Sequence, residues 1–342
     1  MRASLCLFAA AGLVAALPAR AQTPQSAPPA RTELVRRLAH VLDSLSARDQ
    51  FSGVVVLASQ GATVFERAYG MADREAGHPN TLETAFNVGS INKIFTSIAI
   101  RQLAAAGTLD LDSTLARYWP DYPNREVARR VTIRQLLEHR SGIGGNIFDA
   151  PAGGKRSDIR RLRDYLPLFV HEPLQFEPGS GRRYSNAGYV VLGLLVERLS
   201  GEDYYDYVRR HIYEPAGMTR TAHWPVDSLP PNTAIGYTRQ GGTAPLTPLR
   251  RNSPLLPGRG SSAGGGYSTA HDLVRFLEAL RTGRIPAGPS GGFGIAGGAP
   301  GLNAVAEAGL PGGLDLVAMA NLDPPAAQRI AQVLREWLAV KE

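Results

Sequence analysis

The stretch FNVGSINKIFTSIAIRQL, residues 86–103, sets a serine and a lysine three positions apart, Ser90-Ile91-Asn92-Lys93, at the start of an apolar run with helical spacing. Positions i and i+3 share one face of a helix, so the Ser90 hydroxyl and the Lys93 amine can come within hydrogen-bond reach. A lysine assists a nucleophile only when it is neutral. Burial against Phe86, Phe95 and their apolar neighbours would lower the amine's pKa and let it accept the serine proton. The flanks FNVGS and IFTSIAI carry no charge, which favours a buried pair over a Ser cap followed by a solvated lysine. The first turn of a helix also leaves the Ser90 N–H without an intrahelical acceptor and open to an oxyanion. With three lysines in the chain (Lys93, Lys155 and Lys341), the spacing alone can arise by chance, and the surroundings decide.

Outward from this stretch, the hydrophobic period changes twice. Leu34, Leu38, Val41, Leu42 and Leu45 recur at helical spacing. Gly53–Ala58 and Ala62–Ala68 then read as strands around Ser59-Gln60-Gly61, which predicts a hairpin. Ser90–Ala106 returns to helix and stops at Gly107. The middle of the chain is mostly helical: Thr132 is set to cap VTIRQLLEH, which Ser141-Gly142 would end, and Asp158–Val170, Ala187–Leu199 (closed by Gly201) and Tyr204–Tyr213 are further helices. Residues 225–266 are rich in Pro and Gly, with one short strand expected near Ala234–Thr238. A helix over Thr269–Leu280, strands over Asn303–Ala308 and Leu314–Asn321, and a helix over Pro325–Val340 complete the pattern, with Asp323 as its cap and Pro324 at its first position. Strands at both ends with helices between predict an α/β sheet carrying an all-helical insertion.

A chain of 342 residues, 44% hydrophobic, can bury a sizeable core. Its start reads as an export signal over residues 1–21: Arg2, the apolar run Leu5–Leu17, then Ala19-Arg20-Ala21 as a small-x-small cleavage site. That run is too short for a permanent span, so the mature chain is expected to begin near Gln22, after cleavage, with no stable membrane span and a periplasmic or secreted location. Residues 22–30, QTPQSAPPA, form a Pro-rich linker. Cys6, the single cysteine, falls inside the signal, which excludes disulfides and thiolate chemistry from the mature protein. The formal charge is +7, and loss of Arg2 and Arg20 gives 7 − 2 = +5. The densest basic run, Lys155-Arg156 to Arg160-Arg161-Leu162-Arg163, has no interleaved aromatics and reads as a solvated surface, so no nucleic-acid partner is expected.

Three other motifs fail their structural context. In GGFGIAGGAPG, residues 291–301, Gly292, Gly294 and Gly297 match G-x-G-x-x-G, but Pro300-Gly301 and the alternating stretch Leu302–Ala308 follow where a phosphate-binding helix would have to begin. Gly260-Ser261-Ser262-Ala263-Gly264 matches G-x-S-x-G, but Pro254 and Pro257 disqualify the strand that a nucleophile elbow needs. The seven histidines form no H-x-x-x-H or H-E-x-x-H pair, so neither metal nor cofactor is expected, and His139 and His211 at helix ends read as structural. Tyr184-Ser185-Asn186 adds a phenol that could relay a proton and an amide that could hold a substrate carbonyl, with an N-cap as the other role open to Asn186.

Taken in order, FNVGSINKIFTSIAIRQL, VTIRQLLEHRSGI, FEPGSGRRYSNAGYVVLG and SAGGGYSTAHDLVRF resemble the successive signatures of penicillin-recognising serine hydrolases of the class C β-lactamase type, which include D-alanyl-D-alanine carboxypeptidases and related esterases. The resemblance spans about residues 31–342. It implies an antiparallel sheet flanked by N- and C-terminal helices (about 31–107 and 265–342), a helical part (about 108–264), and an active site between them. It also implies Ser90 as the acylated nucleophile, Lys93 as its base, Tyr184 as second proton carrier, Asn186 as a substrate contact, and no duty for Ser262.

One element departs from the family pattern. Its third motif is a strand bearing Lys or His, any residue, then Gly. The matching position here is Ile295-Ala296-Gly297, followed by Gly298, whose N–H would be the second oxyanion donor by similarity. A cation there attracts a substrate carboxylate, and isoleucine cannot; Arg259 is the candidate to restore the charge from its loop. The expected function is an exported serine hydrolase acting on a small-molecule, peptide or cell-wall-like ester or amide. A class C-type β-lactamase or D-Ala-D-Ala carboxypeptidase is one alternative, and a non-catalytic homologue that captures a cell-wall ligand is another. The intact Ser90, Lys93, Tyr184 and Asn186 favour an enzyme.

Overall fold

Hydrophobic runs from opposite ends of the chain build one sheet. The computed structural model describes residues 29–240, 248–286 and 292–339; the predicted signal, Cys6 and residues 22–28 of the linker lie outside the described residues. The strands are β1 (Gly53–Ser59), β2 (Ala62–Tyr69), β3 (Phe293–Ala299), β4 (Leu302–Leu310) and β5 (Leu314–Ala320). The longer or better-placed helices are α1 (Pro29–Ala47), α2 (Asn92–Ala105), α3 (Ile133–Leu137), α4 (Asn186–Ser200), α5 (Ala270–Arg281) and α6 (Ala326–Ala339). The sheet order is β2-β1-β5-β4-β3, antiparallel throughout, so β1 zips onto β5 with Val54 opposite Met319 and Val56 opposite Val317.

The expected hairpin forms with a two-residue turn, because Gln60 and Gly61 both take the left-handed conformation, at φ 52° and 77°, that matches the strand twist. The period-2 alternation then sorts the central strands onto two faces. Val54, Val56, Val317 and Met319 join a core with Phe95, Ile98, Leu273 and Phe276, while Val55, Leu57, Leu316 and Ala318 pack against Leu38, Leu42, Ile330 and Leu334 of α1 and α6. Helix α5 lies on the first face, against β1 and β5.

Several local expectations need correction. The helix expected over Asp158–Val170 breaks into short turns, only Leu162–Tyr165 being α-helical, and Pro167 sits in the 3₁₀ turn that follows, where it can supply no N–H. Tyr204–Tyr213 is α-helical to Val208 and then widens into a π-turn over Arg209–Tyr213. Asp323 does not cap α6. Its carboxylate accepts the N–H groups of Gly301 (2.7 Å) and Arg239 (2.8 Å), and the helix is capped from the neighbouring strand, where Asn303 Oδ1 accepts from Ala327 (2.8 Å) and Gln328 (3.1 Å) N–H. Among the described residues no helix is long and apolar enough to cross a membrane, and no cluster of His, Cys, Asp and Glu is placed to hold a metal ion.

Candidate active site

The helix expected from Ser90 starts two residues later. Gly89–Ile91 form a 3₁₀ turn leading into α2, so Ser90 sits in the turn and Lys93 is the second residue of the helix. The turn is shaped by Gly89, at φ 51°, whose N–H donates to Asn87 Oδ1 at 3.0 Å. Facing it is the sheet edge, β3. A Cβ at Gly297 would stand 2.0 Å from Val88 O and 2.8 Å from Ser90 N, so only glycine lets the strand come this close. Ile295 lies two residues along the same face, half-buried against the core and opposite Ala306, with Ala296 exposed between; Gly298 lines the cleft with Ser90.

Two side chains converge on Ser90. Tyr184 Oη donates to Ser90 Oγ at 2.6 Å, and Lys93 Nζ lies 3.4 Å from the same oxygen. Lys93 Nζ also donates to Asn186 Oδ1 at 2.8 Å and to the carbonyl of Ala263. A neutral amine has two hydrogens and one lone pair; with both hydrogens taken by these two carbonyl oxygens, the lone pair is left for the Ser90 hydroxyl. The structure reserves Asn186 for this contact because Ser185 is the N-cap of α4, accepting the Gly188 N–H at 3.0 Å. This removes the capping role considered for Asn186 and adds a contact to Lys93 that the sequence did not suggest.

Lys93 is 5% exposed and no carboxylate partners it among the described residues, so burial pushes its pKa down to about 7. Burial raises that of Tyr184, which keeps the phenol protonated as a donor, while its bond to Ser90 acts in the opposite direction. If neutral Lys93 is the base, kcat/KM should rise about tenfold per pH unit on the acid side and level off above about 7. A pH profile of kcat/KM with an uncharged ester checks this, and a flat profile between pH 6 and 8 would remove Lys93 from the role.

Ser90 opens into a cleft walled by Ile147, Phe148, Val226, Leu256, Pro257 and Leu302. No charged side chain lines it among the described residues. Arg259 does not replace the missing cation: its guanidinium lies over the Tyr205 ring at 3.6 Å, donates to the His223 carbonyl at 2.7 Å, and faces a separate polar groove with Arg161 and Glu197. Ser262 is fully buried and donates to the Tyr189 carbonyl at 2.8 Å, in keeping with its having no part in the chemistry. The Ala263 carbonyl escaped sequence reading because a backbone acceptor leaves no mark on residue type, and the cleft walls escaped it because they come from loops without periodicity.

A serine and a buried amine at a helix start, beside an antiparallel sheet edge and an apolar cleft, are the parts a serine hydrolase requires. Comparison with known proteins agrees. The chain belongs to the Beta-lactamase family, whose profile matches residues 38–336. It is 34% identical over 278 residues to Esterase EstB of Burkholderia gladioli, covering 72% of this chain and 70% of EstB. It is 30% identical over 245 residues to Penicillin-binding protein 4 of Amycolatopsis lactamdurans, covering 69% of this chain and 61% of that protein, so it spans under two-thirds of that relative's length. Among solved structures, the penicillin binding protein from Bacillus halodurans superposes with a TM-score of 0.75 at 28% identity, over 88% of this chain and 99% of that one.

Proposed function

We propose that this chain is an exported serine hydrolase that cleaves neutral esters or amides through a covalent acyl-enzyme. The observation that carries it is the convergence of Lys93, Tyr184 and Ser90 on an apolar cleft without a charged wall. In the proposed cycle Ser90 Oγ attacks the substrate carbonyl as its proton passes to neutral Lys93. The N–H groups of Ser90 and Gly298 hold the oxyanion, and Asn186 keeps Lys93 oriented while its amide meets the substrate. Tyr184 passes a proton to the leaving group and recovers one from the water that attacks the acyl-enzyme, while protonated Lys93 returns its proton to Ser90 Oγ as the acyl group departs. The sheet part (about 31–107 and 265–342) supplies the Ser90 turn and β3, and the helical part (about 108–264) supplies Tyr184 and Asn186. The signal-like residues 1–21 support export.

Ile295 decides the substrate charge. A charged hydrogen bond to a carboxylate contributes about 1.5–3 kcal/mol, so its absence should lower kcat/KM for carboxylate-bearing substrates about 10- to 100-fold. We expect the purified protein to hydrolyse a short-chain aryl ester faster than a cephalosporin, and Ile295→Lys to narrow the gap. A cephalosporin turned over far faster than the ester would favour the β-lactamase or carboxypeptidase reading, which the penicillin-binding relatives also suggest. No turnover of either, with no uptake of a fluorophosphonate, would favour the ligand-binding reading.

A further inference from the structure

Tyr184 is 55% exposed, yet its hydroxyl stands 2.6 Å from Ser90 Oγ. The ring is only partly covered, with the Lys93 amine 4.7 Å from its centre, and what else holds it decides where the hydroxyl sits. We propose that His139 is the positioning residue of Tyr184, clamping three consecutive residues so that the phenol stays on the nucleophile; this rests on the role given to Tyr184 above.

The clamp has three contacts. The His139 carbonyl accepts the Arg183 N–H at 2.9 Å, and its Nδ1 accepts the Ser185 N–H at 3.2 Å. Between these two anchors the imidazole packs on the Tyr184 ring, with centroids 4.6 Å apart and planes 33° from parallel. Its other contact is with the Tyr189 ring at 5.0 Å, and Tyr189 is itself fixed by a bond from its hydroxyl to the Leu137 carbonyl at 3.0 Å. The phenol that touches Ser90 is therefore backed by an imidazole, a second phenol and helix α4. His139 takes the left-handed conformation, φ 59°, which His and Asn tolerate better than most residues.

Nδ1 can accept only while it is unprotonated, which puts the proton of the neutral ring on Nε2. The surroundings keep it so: the ring is 9% exposed, Lys93 and Arg182 are the cations near it, and burial with their charge pushes its pKa down to about 4. A protonated ring would turn Nδ1 into a donor facing the Ser185 N–H and break one anchor.

His139→Asn separates positioning from folding, because Asn accepts the same backbone angle and can offer Oδ1 to the Ser185 N–H but brings no ring. We expect kcat to fall about 10- to 100-fold with KM nearly unchanged, and a further loss of under about threefold when the change is made in a Tyr184→Phe background, since residues acting through one another are not additive. Equal losses in both backgrounds, or wild-type kcat, would overturn the clamp. Two further measurements do not depend on catalysis. In protein labelled with 3-fluorotyrosine, the ¹⁹F signal of Tyr184, identified by its disappearance in Tyr184→Phe, should shift in His139→Asn. If Tyr184→Phe proves fully active, the role of Tyr184 falls, but an unchanged ¹⁹F signal is what would sink the clamp. If His139→Asn does not fold, ¹⁵N shifts of labelled histidine in the wild-type protein decide: His139, identified by its contacts with the Tyr184 ring, should show an unprotonated Nδ1 and a protonated Nε2 at pH 7, and the opposite tautomer overturns the proposal.

Discussion

Ser90→Ala should abolish turnover of an aryl ester, lowering kcat by about 10⁴–10⁶-fold, and should remove labelling by a fluorophosphonate while the protein stays folded. The effect is large because, among the described residues, Ser90 carries the one hydroxyl that both Lys93 and Tyr184 meet. Lys93 Nζ, Tyr184 Oη and the cleft all meet at this one oxygen. The rival serines are disposed of by geometry, Ser262 being sealed against Tyr189 and Ser185 occupied in capping α4. Stability should change little, since Ser90 gives up one hydroxyl at the edge of the cleft. Labelling that persists in the alanine variant would move the nucleophile elsewhere.

Lys93→Met should cost about 10³–10⁴-fold in kcat, near the upper range for a positioned acid–base group, and should erase the pH dependence near 7. Methionine fills similar volume without a lone pair that can take the serine proton. It leaves the Asn186 amide oxygen and the Ala263 carbonyl without their donor, a loss of about 1–3 kcal/mol for each group that stays dry. Against this stands the removal of an amine whose charged form burial disfavours, so the melting temperature should move far less than the activity. Lys93→Arg should not rescue, because a guanidinium remains charged across the working pH range and has no lone pair to offer. A variant that kept its rate and its pH profile would show that the base lies elsewhere.

Much of this was visible in the chain itself. The Ser90–Lys93 spacing, the hairpin at Gln60-Gly61 and the strands over 303–308 and 314–321 rest on local chemistry: helical spacing in an uncharged setting, a turn that tolerates left-handed residues, and apolar runs of strand length; the glycine-rich strand β3 carries no such signal and is expected only through the family's third motif. The cap of α6 is not where sequence points, at Asp323 just before the helix, because Asn303 reaches it from 24 residues away in sequence. Arg259 could be nominated from charge but not placed, since its direction is set by the Tyr205 ring and a backbone carbonyl, contacts that only the folded chain creates. A single imidazole gives no spacing to test, so sequence offers His139 only as structural; its contacts with residues 183–185 are made by the folded chain.

Asn303 has a further consequence. Its oxygen takes the first N–H groups of α6, and its nitrogen donates to the Gly297 carbonyl at 2.9 Å, on the strand that touches the Ser90 turn. The C-terminal helix and the far wall of the cleft are thereby one mechanical unit. Immobilising the enzyme on a support through residues beyond α6 would put traction on the reactive centre, whereas attachment through an exposed side chain such as Arg129 in the helical part would leave that linkage unloaded.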